Sequence, residues 1–278
     1  MIIFYFFLQY YIMKENTSNN LISGLKDLGI NIYDVSYPLY HYTSVKAAKA
    51  ILLGQSLWYR STKYSNDPFE LNSNLIDHTV DSLDSMKEIY SQVLEDQAFD
   101  SQKVARLVNS LTKESFYNNR KAAYEGYRKR MGIFCFSKIM DNTLMWSHYS
   151  DKHRGVCLGF RLRWDRAFIT MSVNYMENLI PIKAFKNNIR NPLTDYYWIF
   201  TKSNNWAYEQ EVRRFNISSS GKFPFEQGEF REIYYGAATS QKDIAELEKI
   251  IDQKSYKIYN KGQMEIDPGT FRLKNRHF

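Results

Sequence analysis

The sequence predicts an α+β fold on three observations. First, short apolar runs recur along the chain, such as Leu57-Trp58-Tyr59-Arg60 and Gly155-Val156-Cys157-Leu158-Gly159-Phe160. Runs of this length and composition are the pattern of half-buried or buried strands. Second, the texture changes from Leu71 to Arg130: no glycine occurs before Gly126, and Leu75, Val80, Leu83, Met86, Ile89, Val93 and Leu94 recur at helical spacing. That stretch predicts about three helices inserted among the strands. Third, the strands read as many, short and mostly antiparallel, with one helix between the first two.

Taken in order, residues 1–13 read MIIFYFFLQYYIM. They are too short to span a membrane and lack the basic flank of a signal peptide. Met13 precedes a polar run and is a candidate true start; otherwise the segment is expected to pack on the domain as a strand or helix. The expected organisation is an N-terminal extension, 1–36, and one domain, 37–275, with its helical insertion at about 71–130.

Residues 21–28 read as a short helix stopped by Gly29. Residues 37–43 read as a strand, followed by a helix over 45–53 that Thr43 or Ser44 caps and Gly54 stops. A second strand, 57–60, leads to a turn at Ser65-Asn66-Asp67-Pro68-Phe69-Glu70, where the proline keeps its predecessor out of helical geometry. After the helical insertion come strands at 132–137 and 155–160, the latter apolar enough to be central. A short helix over 142–149, capped by Asp141 or Asn142, separates them. A further strand is expected at 167–175, then loop and helix over 176–205. Near the C-terminus the pattern predicts a strand at 232–236, an amphipathic helix at 240–251 opening on Ser240-Gln241-Lys242-Asp243, and closing strands at 255–259 and 263–273.

The stretch Trp206-Ala207-Tyr208-Glu209-Gln210-Glu211-Val212-Arg213-Arg214-Phe215 reads as the entry into a β-strand. Alternation then puts Glu209, Glu211 and Arg213 on one face, the two carboxylates about 7 Å apart. Either this is a solvated edge strand with Arg213 as counter-charge, or one carboxylate stabilises positive charge in a substrate.

The composition narrows the class. Aromatic residues make up 16% of the 278 residues, enough apolar surface for a core and against disorder. The net charge of +7 suits a polyanionic partner or substrate, such as nucleic acid or a dinucleotide, and equally a basic protein with no such partner. The basic run Arg120, Lys121, Arg128, Lys129 and Arg130 ends the helical stretch. It reads as a solvated face or as a nucleic-acid contact. Cys135 and Cys157 lie in apolar runs without metal-ligand spacing and read as buried, reduced thiols of a cytoplasmic protein.

Phosphate-binding loops, dinucleotide fingerprints, HExxH and G-x-S-x-G are absent from the sequence. The five histidines have no partner at helical spacing on a common element, so no zinc site is expected. His41 stands at a strand end before a helix N-terminus, whose free N–H groups suit an amide or phosphate. Trp146, Ser147, His148 and Tyr149 share a short helix, where an exposed ring can stack on a flat heterocycle.

The blocks Tyr40-His41-Tyr42-Thr43-Ser44, Ser65 to Glu70, Leu144 to Tyr149, Gly155 to Phe160 and Trp206 to Arg213 resemble a prokaryotic family, domain of unknown function 2971. The resemblance spans about residues 38–275. More distantly, the chain is similar to the ADP-ribosyltransferase superfamily, especially its poly(ADP-ribose) polymerase and DarT-like branches. The similar segments are His41-Tyr42-Thr43, Ile51-Leu52-Leu53-Gly54, Gly132 to Ser137, Trp146 to Tyr149 and Glu211-Val212-Arg213-Arg214-Phe215. Glu209-Gln210-Glu211 resembles the paired glutamates of arginine-modifying members. Tyr42 departs from the polymerase pattern, which has glycine there.

That resemblance implies a split antiparallel β-sandwich with a helical insertion, and NAD as substrate. It implies Glu211 as the carboxylate that stabilises the oxocarbenium-like ribose, with Glu209 orienting or deprotonating the acceptor. Like-charge proximity is expected to raise one of the two pKa values. His41 would bond the adenosine-side ribose, and the Tyr42 backbone, next to Thr43, would hold the carboxamide. Arg60 would meet the pyrophosphate, and Trp146, or else Tyr149 or Phe136, would stack on nicotinamide. The implied setting is a toxin or phage-defence effector acting on RNA, DNA or protein, with an antitoxin or regulatory protein as partner and no membrane. Two other readings stand beside it. One is a binding module for nucleic acid or protein on the same fold, without turnover. The other is a nuclease or hydrolase using a metal at Asp67, Glu70, Glu209 and Glu211.

Overall fold

The computed structural model describes residues 23–34, 36–62, 65, 67–79, 82–95, 100–165, 167–186, 189–191, 193–216 and 218–277. The expectation for the apolar start at 1–13 lies outside them. The chain divides into two compact units: one of Met1–Asn31, Ser61–Met131 and Asn174–Ser203, the other of Ile32–Arg60, Gly132–Val173 and Asn204–Phe278.

The second unit is built on a sheet and contains nearly every residue singled out for chemistry. Its elements are β1 (Leu39–Thr43), α1 (Val45–Gly54), β2 (Ser56–Tyr59), β3 (Gly132–Ser137), α2 (Thr143–Tyr149), β4 (Val156–Phe160), β5 (Ile169–Ser172), β6 (Glu211–Asn216), β7 (Gly221–Pro224), β8 (Phe230–Tyr235), α3 (Gln241–Gln253), β9 (Asn260–Ile266) and β10 (Leu273–His277). Eight strands form one mixed sheet in the order β10-β9-β8-β4-β1-β3-β6-β5, and β7 pairs with β2 separately. Every neighbouring pair in the large sheet is antiparallel except β8–β9, the pair that α3 connects.

Local chemistry explains the elements. Ser44 caps α1, its Oγ accepting from the Ala47 N–H at 3.2 Å. The helix runs through Gly54, and Gln55, not Gly54, carries the left-handed turn at φ 44°. Ser240 caps α3 by accepting from the Asp243 N–H at 3.1 Å, as its capping signature predicts. The β4 strand is central, as its unbroken apolar run predicts. The closing strands, by contrast, lie further along the chain than expected, at Asn260–Ile266 and Leu273–His277.

The two faces of the sheet differ. On one, Leu39, Phe134, Phe136, Leu158, Phe160, Val212, Ile233 and Tyr235 pack with Ala48 and Leu52 of α1 and with Ile244, Leu247 and Ile251 of α3. On the other, Tyr42, Cys157, Tyr234, Met264 and Leu273 pack with Met145 and Trp146 of α2.

In the first unit the three helices expected over 71–130 form at Leu83–Glu95, Ser101–Asn109 and Lys113–Arg130. They group with the helix Leu193–Phe200, where Asp195 accepts from the buried Tyr124 hydroxyl at 2.9 Å. The insertion read from the sequence is therefore one of several segments of a composite unit. Among the described residues no helix is long and apolar enough to cross a membrane.

Candidate functional site

The strand entry around Glu209 differs from the sequence reading. Asn204–Glu209 is a 3-10 helix, Gln210 turns the chain with φ 44°, and the strand begins only at Glu211. Period-two alternation therefore does not relate Glu209 to Glu211. The strand is not an edge either: it lies between β3 and β5, with all six of its residues buried.

Register places the candidate residues. One cross-strand row reads Asn260, Glu232, Gly159, Tyr40, Ser137, Glu211. Residues opposite one another in register share a face. Glu211 thus stands on the face of Tyr40 and Ser137. His41, one position along, stands on the other face, in the row of Leu158 and Ile233. Consistent with this, the imidazole packs against Phe134 and Phe136, with ring centroids 4.3 and 6.4 Å away. The sequence-predicted site residues are thus split between two faces of one sheet.

On the Glu211 face, Glu211 and Arg213 form a buried two-point ion pair. Arg213 Nε donates to Oε1 at 2.9 Å and Nη2 to Oε2 at 3.2 Å. The two side chains sit two apart on one strand, so this contact follows directly from the pleat. Beside them the Ser137 hydroxyl donates to the Glu209 carbonyl at 2.7 Å, holding the helical turn against β3. The buried Glu209 carboxylate accepts from the Tyr149 hydroxyl at 2.5 Å. His148 Nδ1 lies 3.1 Å from the Tyr208 hydroxyl, and Asn142, which caps α2, donates to the Tyr208 carbonyl at 3.0 Å. Strand β3 is buried at every position but one, Cys135, which is exposed. Cys135 is in register with Arg213, so this face opens beside the ion pair. The reading of Cys135 as a buried thiol is corrected; Cys157 is buried as expected.

Trp146 does not line that opening. It is 0% exposed, its indole N–H donates to the Met140 carbonyl at 2.9 Å, and its ring meets Tyr42 edge-on. Tyr42 is buried, with its hydroxyl donating to the Ile139 carbonyl at 2.9 Å. Phe136 is likewise core, on the other face. A ring packed from all sides has no face for a nicotinamide, so of the three stacking candidates only Tyr149 is partly exposed.

On the His41 face, strands β1 and β3 part after the single pair Tyr40–Ser137. Further along β3 its edge is taken by Arg60, whose N–H and C=O pair with Ile133 at 2.9 and 2.8 Å. Between these points His41 Nδ1 lies 3.1 Å from the Cys135 carbonyl. A carbonyl only accepts, so the proton is on Nδ1 and Nε2 is left as an acceptor. Burial, and then the nearby Arg60 guanidinium, hold the imidazole pKa down at about 4, against a hydrogen bond to Cys135 that raises it. The Arg60 guanidinium lies over the exposed Trp58 ring at 5.1 Å. Thr43 is buried at the end of β1, its carbonyl accepting from the Ser150 hydroxyl at 3.3 Å.

Residues 145–214 match the model of a family described as protein of unknown function (DUF2971). The match covers Trp146, Tyr149, Glu209 and Glu211, and leaves out His41 and Arg60. No curated protein and no solved structure matches the chain.

Several members of the arrangement carry no signal in the sequence. Ser137, Gly159 and Tyr40 join the row only through register, which a single chain read alone does not specify. Asp67 and Glu70 belong to the first unit, and among the described residues no three His, Cys, Asp or Glu side chains gather as metal ligands.

Proposed function

We propose that the chain is an NAD-dependent ADP-ribosyltransferase whose chemistry centres on the Glu211 face. The observation that carries this reading is the opening at Cys135 beside the buried Glu211–Arg213 pair, with Glu209 and Tyr149 next to it. A carboxylate held in a buried setting, where charge interactions are strong, suits the positive charge that develops on a ribose. In the reaction the nicotinamide–ribose bond breaks, nicotinamide leaves, and an acceptor nucleophile bonds to the same ribose carbon. Glu211 stabilises the oxocarbenium-like transition state, and Glu209 positions or deprotonates the acceptor. Tyr149 is the ring left to stack on nicotinamide. His41 lies on the other face and is outside this site.

A second reading is favoured by the two-point engagement of Glu211 and the burial of Trp146: a binding module for nucleic acid or protein, without turnover. One experiment separates them. The protein is incubated with labelled NAD and RNA, DNA or protein acceptors, and nicotinamide release is measured alongside maleimide labelling of Cys135. The transferase reading expects release that falls about 10²–10³-fold in Glu211→Gln, and NAD protection of Cys135. The absence of both release and protection would overturn it. Salt-sensitive nucleic-acid binding with no release supports the second reading.

A further inference from the structure

A serine and a histidine outside that set form a dyad. Ser147 lies half-buried on α2, and its Oγ is 2.9 Å from His153 Nε2. The histidine is held by main chain on both sides: its N–H donates to the Trp146 carbonyl at 3.2 Å, and its carbonyl accepts from the Ala238 N–H at 3.0 Å. The loop that presents it is strained. Asp151, Lys152 and His153 have φ of 45°, 54° and 66°, three successive left-handed residues of which none is glycine. Such backbone persists only where the surroundings impose it, and it concentrates at functional sites. Gly236 is one such support: a Cβ there would sit 2.1 Å from the His153 carbonyl oxygen. Burial lowers the His153 pKa, so the ring is neutral near pH 7 and able to take a proton.

We propose that Ser147 is an activated nucleophile with His153 as its general base, and that the pair transfers acyl groups from carboxylic esters. With the His153 proton on Nδ1, Nε2 accepts from the serine hydroxyl. Oγ bonds to the ester carbonyl carbon as its proton passes to Nε2. The ester C–O bond then breaks, and the alcohol leaves with that proton. Water, deprotonated by the same imidazole, releases the acid and restores the hydroxyl. If Nε2 instead donates to Oγ, the contact merely ties the loop to the helix.

The full chain treated with a fluorophosphonate distinguishes the two. The probe forms a serine–phosphorus bond and expels fluoride, and peptide mass mapping locates the adduct. The dyad expects one adduct, on Ser147, absent in Ser147→Ala. It also expects labelling at least about 10²-fold slower in His153→Asn, whose side chain tolerates the left-handed backbone. An unlabelled wild-type protein overturns the proposal, and so does Ser147 labelling that His153→Asn leaves unchanged while the melting temperature is retained.

Discussion

Glu211 and Glu232 stand in the same cross-strand row, on the same face of the same sheet, four strands apart. Both are buried, yet they are satisfied in different ways. Glu211 is gripped by a full cation, Arg213. Glu232 accepts from neutral donors: the Tyr40 hydroxyl at 3.2 Å, the Tyr234 hydroxyl at 2.9 Å and the Asn260 amide at 3.1 Å. Tyr40 reaches it over Gly159, where a Cβ would come within 2.7 Å of the Glu232 Cβ and 3.3 Å of the Tyr40 ring. Burial, and then the charge of Glu232 and the hydrogen bonds to it, push both tyrosine pKa values up, which keeps the phenols protonated as donors. The difference separates a carboxylate enclosed by dipoles from one already stabilising a positive charge. The first is suited to holding four strands together; on the proposed function, the second serves chemistry at the opening beside it.

The largest test of this contrast is Arg213→Met. It removes the guanidinium from the buried Glu211 carboxylate, and breaking a buried pair from one side costs about 3–5 kcal/mol. Urea melts should show that loss, and the double variant Glu211→Leu/Arg213→Met should regain most of it, because the buried carboxylate goes with its guanidinium. A single variant that melts like the wild type would mean that water reaches the pair. Tyr234→Phe probes the other end of the row and is expected to cost about 1.5–3 kcal/mol, the usual worth of a hydrogen bond to a charged group. Tyr40→Phe on top of it should be non-additive, since both phenols share one oxygen of Glu232. Strict additivity would show two independent contacts in place of a network.

Much of the scaffold is legible in the sequence because it rests on local rules. The Ser44 and Ser240 caps, the helices between 83 and 130 and the central β4 strand follow from spacing and capping chemistry. The candidate site was less legible, for two physical reasons. A single left-handed residue, Gln210, ends the alternation between Glu209 and Glu211, and nothing in Glu-Gln-Glu announces it. Which face a residue takes also depends on register across strands far apart in the chain. Tyr40 and His41 differ by one position and stand on opposite faces, so adjacency in a motif is no guide to adjacency in a site. The ion pair was the readable part, because Glu211 and Arg213 are two apart on one strand.

The smallest effect tests the face that His41 occupies. Its imidazole has its pKa lowered from 6.5 to about 4, mainly by burial and further by Arg60. In the unfolded chain the same ring takes up a proton near pH 6.5. Between those values the unfolded state binds more protons than the folded one, so stability falls as pH drops from about 6.5 towards 4. Above that window the His41 contribution is fully present; below it, nothing further is lost from this group. Among the described residues, the Cys135 carbonyl, the Phe134 and Phe136 rings and the Arg60 guanidinium face the ring. His41→Gln removes the titrating ring, so its stability should depend less steeply on pH across the window. Urea melts of both proteins at pH 7, 6, 5 and 4.5 should therefore converge towards the acid end as the wild type gives up its advantage. A gap that stays constant would show that the ring is solvated, and that the parting between β1 and β3 admits water.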